Sequence, residues 1–428
     1  MRTKNLTPFP VGTKVTSTKP PQPEMVVVVR GRFDVVHDGV ATAAKGVVDA
    51  LAQGPLSSEL YAEEDEGRVG EPIYPGDFAD AKLRGEVVAR VTCHAPGHGS
   101  VAETLASIAV GGWSKSVRVV GPRVWSEGIV GAKPGEAERF RAMPLRWAKA
   151  FGGAGRELNP AGVPLDGPAL PNVELAAEPI RARGDKPRPA GFSPLNPAWP
   201  ARAKKVGTKY GASYLPRAPY YAEDFDWSYF QTAPEDQQIE GFFRGDEEVV
   251  LTNLDPERAV LRTRLPGLRV RCFVNDVARS FREVKLLLDT IYVDGDARQL
   301  LLTWRGRTPV VDQELEDVTT VLVGSEKLAD APRDEAGYRA ALERFEADPL
   351  EIGEHLPPAQ AALFRAKTPE QRADAVLAIL EEERPGAVDE ARRASPSVDL
   401  REALIAGQAA NDDAPPPVPI PAAPRVTL

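Results

Sequence analysis

Cysteine and histidine come together at one place in the sequence, Cys93-His94-Ala95-Pro96-Gly97-His98, and that segment offers two chemistries: metal ligation, or a thiol activated by an imidazole. The separation of His94 and His98 is that of a zinc-binding histidine pair. A closed zinc site takes three or four protein ligands, however, and no second Cys/His pair occurs in the chain. Pro96-Gly97 also breaks the helix that would turn both rings to one face. A loop without metal is therefore expected. The other histidines, His37 and His355, fall beside a turn and near a helix start, so a Ser/His/Asp set would need His94 or His98 as its base. No G-x-S-x-G elbow supplies its serine. Neither phosphate-cradling glycine motif is present, and Gly111-Gly112 and Gly152-Gly153 read as turns. With no catalytic residue, cofactor site or metal set in view, a protein without enzymatic activity is expected.

Carboxylates offer a second chemistry. Asp224, Asp226, Glu235 and Asp236, followed by Asp246-Glu247-Glu248, supply pairs of the kind that cleave glycosides. Beside Trp199, Tyr220, Tyr221 and Trp227 they also suggest a carbohydrate-binding cleft, in which aromatic faces stack on sugars. The competing reading is core and surface packing, because large rings are an ordinary means of filling a core.

The elements that must position these residues are mostly strands. Of 428 residues, 41 are proline and 36 glycine, which interrupts helices too often for a bundle. Val26-Val27-Val28-Val29 with Phe33 and Val35 predicts a hairpin closed by Asp38-Gly39, and residues 86–92 and 116–120 predict further strands joined by loops. Strand signals return at 248–251, 268–274 and 285–305, where Asp294-Gly295-Asp296 marks a hairpin turn. Residues 134–244 lack sustained periodicity but are rich in aromatics, which predicts an ordered loop layer rather than a linker. After Pro309 the chain turns helical: Tyr338, Leu342 and Phe345 lie at helical spacing, and Thr368-Pro369-Glu370-Gln371 combines an N-cap, an N1 proline and a capping-box glutamine. The expected fold is mainly β, α+β overall, with an antiparallel sandwich- or barrel-like region. Its expected organisation is a β-rich domain over 1–325, with two β subdomains at about 1–133 and 245–325 bridged by 134–244. A helical appendage over 326–410 and a proline-rich tail over 411–428 follow.

Charge narrows the partners. Fifty-three basic against 62 acidic side chains give a formal net charge of −9, which disfavours nucleic acid and anionic lipid. Two cysteines cannot build a disulfide framework, the apolar run 25–29 is far short of the ~20 residues of a membrane helix, and the first residues lack a signal sequence. A cytoplasmic, bacterial-type protein without membrane insertion is expected.

Many short segments, taken in order, resemble a bacterial domain-of-unknown-function family encoded beside type VI secretion genes. They are Asn5-Leu6-Thr7-Pro8-Phe9, Asp77-Phe78 with Lys82, Ala95-Pro96-Gly97, Val119-Val120-Gly121-Pro122-Arg123-Val124-Trp125, and the most specific piece, Met143-Pro144-Leu145-Arg146-Trp147-Ala148-Lys149-Ala150-Phe151-Gly152-Gly153. The match continues through Asn159-Pro160, Leu170-Pro171-Asn172, Pro189-Ala190-Gly191-Phe192, Asp224-Phe225-Asp226, Asp236-Gln237-Gln238, Gly245-Asp246-Glu247, Leu265-Pro266, Leu288-Asp289-Thr290 and Thr303-Trp304-Arg305, covering about 1–325. The chain departs from the pattern at Pro122, where Asp is frequent, and at Gly85-Glu86, where an Asp is usual.

The resemblance implies an accessory or adaptor protein without established catalytic residues, which helps load a type VI effector, often with a PAAR-like tip protein, onto the spike protein. Under that reading the partner contacts are expected in the loop layer, at Trp199, Tyr220, Tyr221, Trp227, Phe230 and Phe243, because aromatic residues carry interface energy disproportionately. The motif residues Arg123, Trp125, Pro144, Leu145, Phe151, Gly152, Gly153, Asn159, Pro160, Asn172, Asp224, Asp246, Glu247, Asp289, Thr290, Trp304 and Arg305 are expected to be structural, capping turns and holding the loop layer.

Overall fold

The computed structural model describes residues 1–19, 22–44, 54–61, 70–128, 131–210, 221–277, 280–311, 315, 318–347, 368–383, 388, 399 and 401–402. Tyr220 and the proline-rich tail lie outside them. Two compact units divide the chain, Met1–Arg339 and Ala340–Leu428.

The first unit is mainly β. Its largest sheet has seven strands in the order Gln238–Ile239, Gly85–Arg90, Leu287–Asp294, Gln299–Pro309, Gln22–Asp34 and Val11–Lys19, with Thr42–Ala43 paired to Gln22–Asp34. A six-stranded sheet runs Val173–Leu175, Trp113–Val120, Glu103–Val110, Glu248–Thr252, Val260–Arg264 and Gly39–Val40, and a four-stranded one runs Arg2–Asn5, Val318–Lys327, Leu268–Asp276 and Phe281–Val284. Strands from before and after residues 134–244 share the two larger sheets.

The sheets differ from the antiparallel expectation in a physically simple way. Gly85–Arg90 lies parallel to Leu287–Asp294, and Arg2–Asn5 lies parallel to Val318–Lys327. Neither pair is adjacent in sequence, so no tight turn forces antiparallel pairing. No sheet closes into a barrel among the described residues.

The Asp294-Gly295-Asp296 hairpin forms as predicted, joining Leu287–Asp294 to Gln299–Pro309, with the Asp294 carboxylate accepting from Ala297 N at 3.0 Å. The strand Gln22–Asp34 has a different partner from the one expected. Its long antiparallel neighbours are Gln299–Pro309 and Val11–Lys19, and among the described residues the chain beyond Asp38-Gly39 returns to it only through Thr42–Ala43. The segment read as a connection before residue 116 contains the strand Glu103–Val110, which turns into Trp113–Val120 at Gly111-Gly112.

The unbroken valine run follows from burial on both faces, since Val26, Val27, Val28 and Val29 are all inaccessible to solvent. Met25, Val27, Val29, Leu300, Leu302 and Trp304 join the main core, which the other two sheets share. The loop layer closes that core with Trp147, Phe192 and Trp199, the two indoles meeting edge to face at 6.3 Å. The opposite face carries Val88, Tyr292 and Leu301 and is covered by Tyr74 and Ala233.

The helix Glu335–Ala347 begins in this unit, where the ring of Tyr338 lies 4.5 Å from that of Phe273 and its hydroxyl donates to Glu326 at 2.7 Å. In the second unit, helix Pro369–Glu383 starts where its capping residues predict, with Gln371 N donating to Thr368 Oγ1 at 3.3 Å. No helix of the described residues is long and apolar enough to cross a membrane.

Candidate partner-binding site

Register places polar residues in one row across the covered face of the seven-stranded sheet. Arg30 pairs with Thr303, Thr303 with Thr290, and Thr290 with Glu86. All four are buried, and each lies on a different strand. Asp289 is added by a bulge, because Leu288 pairs with Trp304 and Thr290 with Thr303, leaving Asp289 unopposed. Its carboxylate takes the guanidinium of Arg305, and Thr290 Oγ1 donates to it at 2.8 Å. Burial pushes the Asp289 carboxyl upward against the pull of Arg305 and Lys82.

The covering segment answers this row group by group. Asp77 accepts from Arg30 Nη1 at 2.8 Å, Leu56 N at 2.7 Å and Tyr74 Oη at 2.7 Å. Its own backbone carbonyl accepts from Arg305 Nε at 2.9 Å and Nη2 at 2.7 Å. Lys82 donates to Glu86, and burial lowers the ammonium pKa even beside that carboxylate. The Gly85-Glu86 departure from the family pattern therefore still supplies an anion for Lys82.

This buried network fastens a surface loop. Glu86 accepts from Gln231 Nε2 at 2.9 Å, Thr232 N at 2.9 Å and Thr232 Oγ1 at 2.6 Å, while Asp80 accepts from the hydroxyl of Tyr221 and from Lys14 Nζ at 3.0 Å. Burial, with Asp80 beside it, pushes the Tyr221 phenol upward, so it remains a donor. Between these anchors, Tyr221, Phe225, Trp227 and Tyr229 form a half-buried aromatic cluster around Phe230. Tyr221 lies 4.3 Å from Phe225 and 5.5 Å from Trp227, and Phe225 lies 5.8 Å from Tyr229. Arginines flank it, with Arg307 5.4 Å over the ring of Trp227 and Arg202 5.0 Å over that of Tyr229.

Of the residues expected to meet a partner, the fold thus brings Tyr221 and Trp227 together at a surface. Trp199, Phe230 and Phe243 are core residues instead, and Trp199 is wholly inaccessible. A ring in a proline- and aromatic-rich segment can fill either a core or a surface, and only tertiary packing distinguishes them. Phe225 and Tyr229 complete the cluster, and their nearness to Trp227 in sequence is the signal for them.

Three of the acidic residues considered for sugar chemistry serve turns. Asp224 accepts from Thr208 N at 2.9 Å and Lys209 N at 2.8 Å, Asp226 caps a 3-10 turn through Ser228 N at 2.8 Å, and Glu247 accepts from Arg244 N and Gly245 N. Asp246 is half-buried beside the exposed Arg244 at 3.3 Å. Asp236 instead pairs with the buried Lys115, whose ammonium burial lowers to about 8.

Other motif residues hold the loop layer. Arg123 bonds Glu174, Trp125 Nε1 donates to Leu165 O at 3.0 Å, and Asn172 Nδ2 to Val120 O at 3.0 Å. Asn159 Nδ2 bridges Trp147 O at 2.8 Å and Phe151 O at 3.0 Å, with Pro160 half-buried behind it. Gly152 leaves room for this bridge, and Gly153 adopts φ 110°. Pro144 ends a short strand facing Thr92, which delivers the buried Leu145, and Trp304 stacks on Phe9 at 6.2 Å.

At the Cys/His segment, Cys93 is buried and its thiol pushed up to about 12, whereas His98 is exposed with φ 59°. Among the described residues no group of three or more His, Cys, Asp or Glu side chains is placed to hold a metal ion. No curated protein and no solved structure matches the chain. A family model does match over residues 21–305, and the chain belongs to that family, DUF2169, uncharacterized proteins conserved in bacteria.

Proposed function

We propose that the protein is a non-enzymatic adaptor of the type VI secretion machinery, which holds an effector or a PAAR-like tip protein in the cytoplasm and helps to load it onto the spike. The observation that supports this reading is the half-buried cluster of Tyr221, Phe225, Trp227 and Tyr229, with the exposed Arg307 over Trp227. Aromatic and arginine side chains supply most of the energy of a protein interface at low entropic cost. The polar network beneath it holds the loop backbone through Glu86, so the rings are presented in a fixed arrangement.

The test is affinity capture of the full chain from its native host, comparing wild type with Trp227→Ala and identifying bound proteins by mass spectrometry. Recovery of a PAAR-like protein, an effector or the spike by wild type, reduced at least severalfold in the folded variant, supports the adaptor. Absence of every secretion component while the locus is expressed defeats it. Saturable binding of cell-wall fragments or polysaccharide that Trp227→Ala abolishes would instead establish the carbohydrate reading.

A further inference from the structure

The seven-stranded sheet ends in a long strand whose outer side is unpaired. Val11–Lys19 is the last strand of that sheet and runs for 9 residues, whereas Arg2–Asn5 and Phe281–Val284 have 4, Val173–Leu175 has 3, and Gly39–Val40 and Gln238–Ile239 have 2 at the other sheet margins. Arg30 N donates to Pro10 O at 3.1 Å, so the hydrogen-bonded pairs continue at Gly12 with Val28, Lys14 with Val26 and Thr16 with Glu24. The main-chain groups of Val11, Thr13 and Val15 therefore point outward, and no described residue bonds them. Native sheets keep such margins short or covered, because a row of unpaired N–H and C=O groups is a template for another strand. This margin also adjoins the aromatic cluster. Asp80 accepts from Thr16 Oγ1, from Lys14 Nζ at 3.0 Å and from the Tyr221 hydroxyl, so strand and cluster share one carboxylate. Lys14 is in register with Val26, and Val26 with Arg307, which lies 5.4 Å over the ring of Trp227.

We propose that this edge takes up an extended segment of the partner protein, which adds one strand to the seven-stranded sheet through the main chain of Val11, Thr13 and Val15. This mode of holding rests on the adaptor reading and deepens it: strand pairing at the edge sets direction and register, and the rings beside it add apolar contact. Val11 packs against the main core and is half-buried, as are Thr13 and Val15, so alternate residues of the added strand are β-branched or aromatic to cover them. On the other face the side chain of Lys14 is 46% exposed although it holds Asp80, and an acidic residue fits opposite it. A second copy of this chain fits less well. Antiparallel pairing of Thr13 with its own counterpart sets the two Lys14 residues diagonally on one face, about 7–8 Å apart, where like charges repel. Lysine on an edge strand is a device against such self-pairing.

The experiment is affinity capture of the full chain from its native host as wild type, Thr13→Pro, Val15→Pro and Trp227→Ala. Amide hydrogen exchange of wild type follows, alone and bound to the PAAR-like protein, effector or spike protein that it recovers. Proline at 13 or 15 removes an outward N–H and leaves the bonds to Gln22–Asp34 in place, so both variants are expected to fold with an unchanged circular dichroism spectrum. Each is expected to reduce recovery about fivefold or more, the worth of one hydrogen bond. The amides of Val11, Thr13 and Val15 are expected to exchange rapidly in the free chain and about tenfold or more slowly in the complex, with those of Gly12, Lys14 and Thr16 slow in both. If a proline variant proves unfolded, the exchange measurement decides. Equal recovery by folded proline variants, or unslowed amides in the complex, overturns the edge and leaves the adaptor standing. Recovery of no secretion component by wild type overturns both. Slow exchange of the outward amides in the free chain, with the mass of a dimer in light scattering, assigns the edge to a second copy and overturns the proposal.

Discussion

Arg305 ties its strand to the segment that covers it, donating from Nε and Nη2 to the main-chain carbonyl of Asp77 at 2.9 and 2.7 Å. The Asp77 carboxylate meanwhile takes Arg30 from the neighbouring strand. One residue thus serves two arginines, one through its side chain and one through its backbone. Burying so many ionised groups is tolerable only because each finds a partner. Within this frame Lys82 and Glu86 give the sharpest test.

Replacing Lys82 by Met leaves Glu86 buried with its charge uncompensated. We expect a loss of about 3–5 kcal/mol in urea unfolding. Adding Glu86→Gln removes that charge while keeping an acceptor for Thr232, so the double variant should regain about 1–3 kcal/mol over Lys82→Met. A double variant no more stable than Lys82→Met alone would mean that the pair is not coupled as its geometry implies.

Glu71 should make stability depend on pH. Its folded-state value of about 7 lies above the unfolded value of 4.5, so the native chain keeps a proton that the unfolded chain releases. Stability from this site therefore falls as pH rises from about 4.5 to 7, by about 3 kcal/mol in total, and is level above. Glu71→Gln should match wild type near the bottom of that window and exceed it at pH 8. Parallel stability profiles for the two proteins across pH 5 to 8 would refute this.

The Gly152 turn admits no side chain, because a Cβ there would stand 2.2 Å from Asn159 O and 2.8 Å from Gly162 Cα, both backbone atoms. Gly152→Ala should cost about 4 kcal/mol or more. Asn159→Ala loses two donors to buried carbonyls and should cost about 1–3 kcal/mol. Gly97 has φ 68° and nothing within 4 Å of its missing Cβ, so Gly97→Ala should cost only about 1 kcal/mol. Thermal and urea unfolding of the three variants should rank them in that order, and an unperturbed Gly152→Ala would contradict the packing described.

Local features were legible without the structure. The hairpin at Asp294-Gly295-Asp296 is encoded by adjacent strands and a turn that closes them, and the start of helix Pro369–Glu383 by Thr368 and Pro369. The β character of residues 26–29 follows from four β-branched residues in succession. A hint of the polar row was also present, since Arg30 ends a run of valines that only a doubly covered strand would carry. Glu71 gave no such hint, because nothing in its neighbourhood marks it as buried.

The fate of the aromatic residues divides the two levels most clearly. Composition predicts packing for residues 134–244, because so many rings cannot stay in water without cost, and among the described residues Trp147, Phe192 and Trp199 do enter the core. Whether a given ring fills the core, as Trp199 does, or stays at the surface, as Trp227 does, depends on which sheet face its loop crosses. That is decided by pairings between distant strands, Gly85–Arg90 with Leu287–Asp294 above all, whose register aligns Glu86 with Thr290 and so fixes where the loop is tied. Local sequence sets the periodicity of each strand. The order of the strands, and hence the assembly of Arg30, Asp77, Glu86, Asp289 and Arg305 into one buried network, arises only when the whole chain minimises exposed apolar area and unpaired charge together.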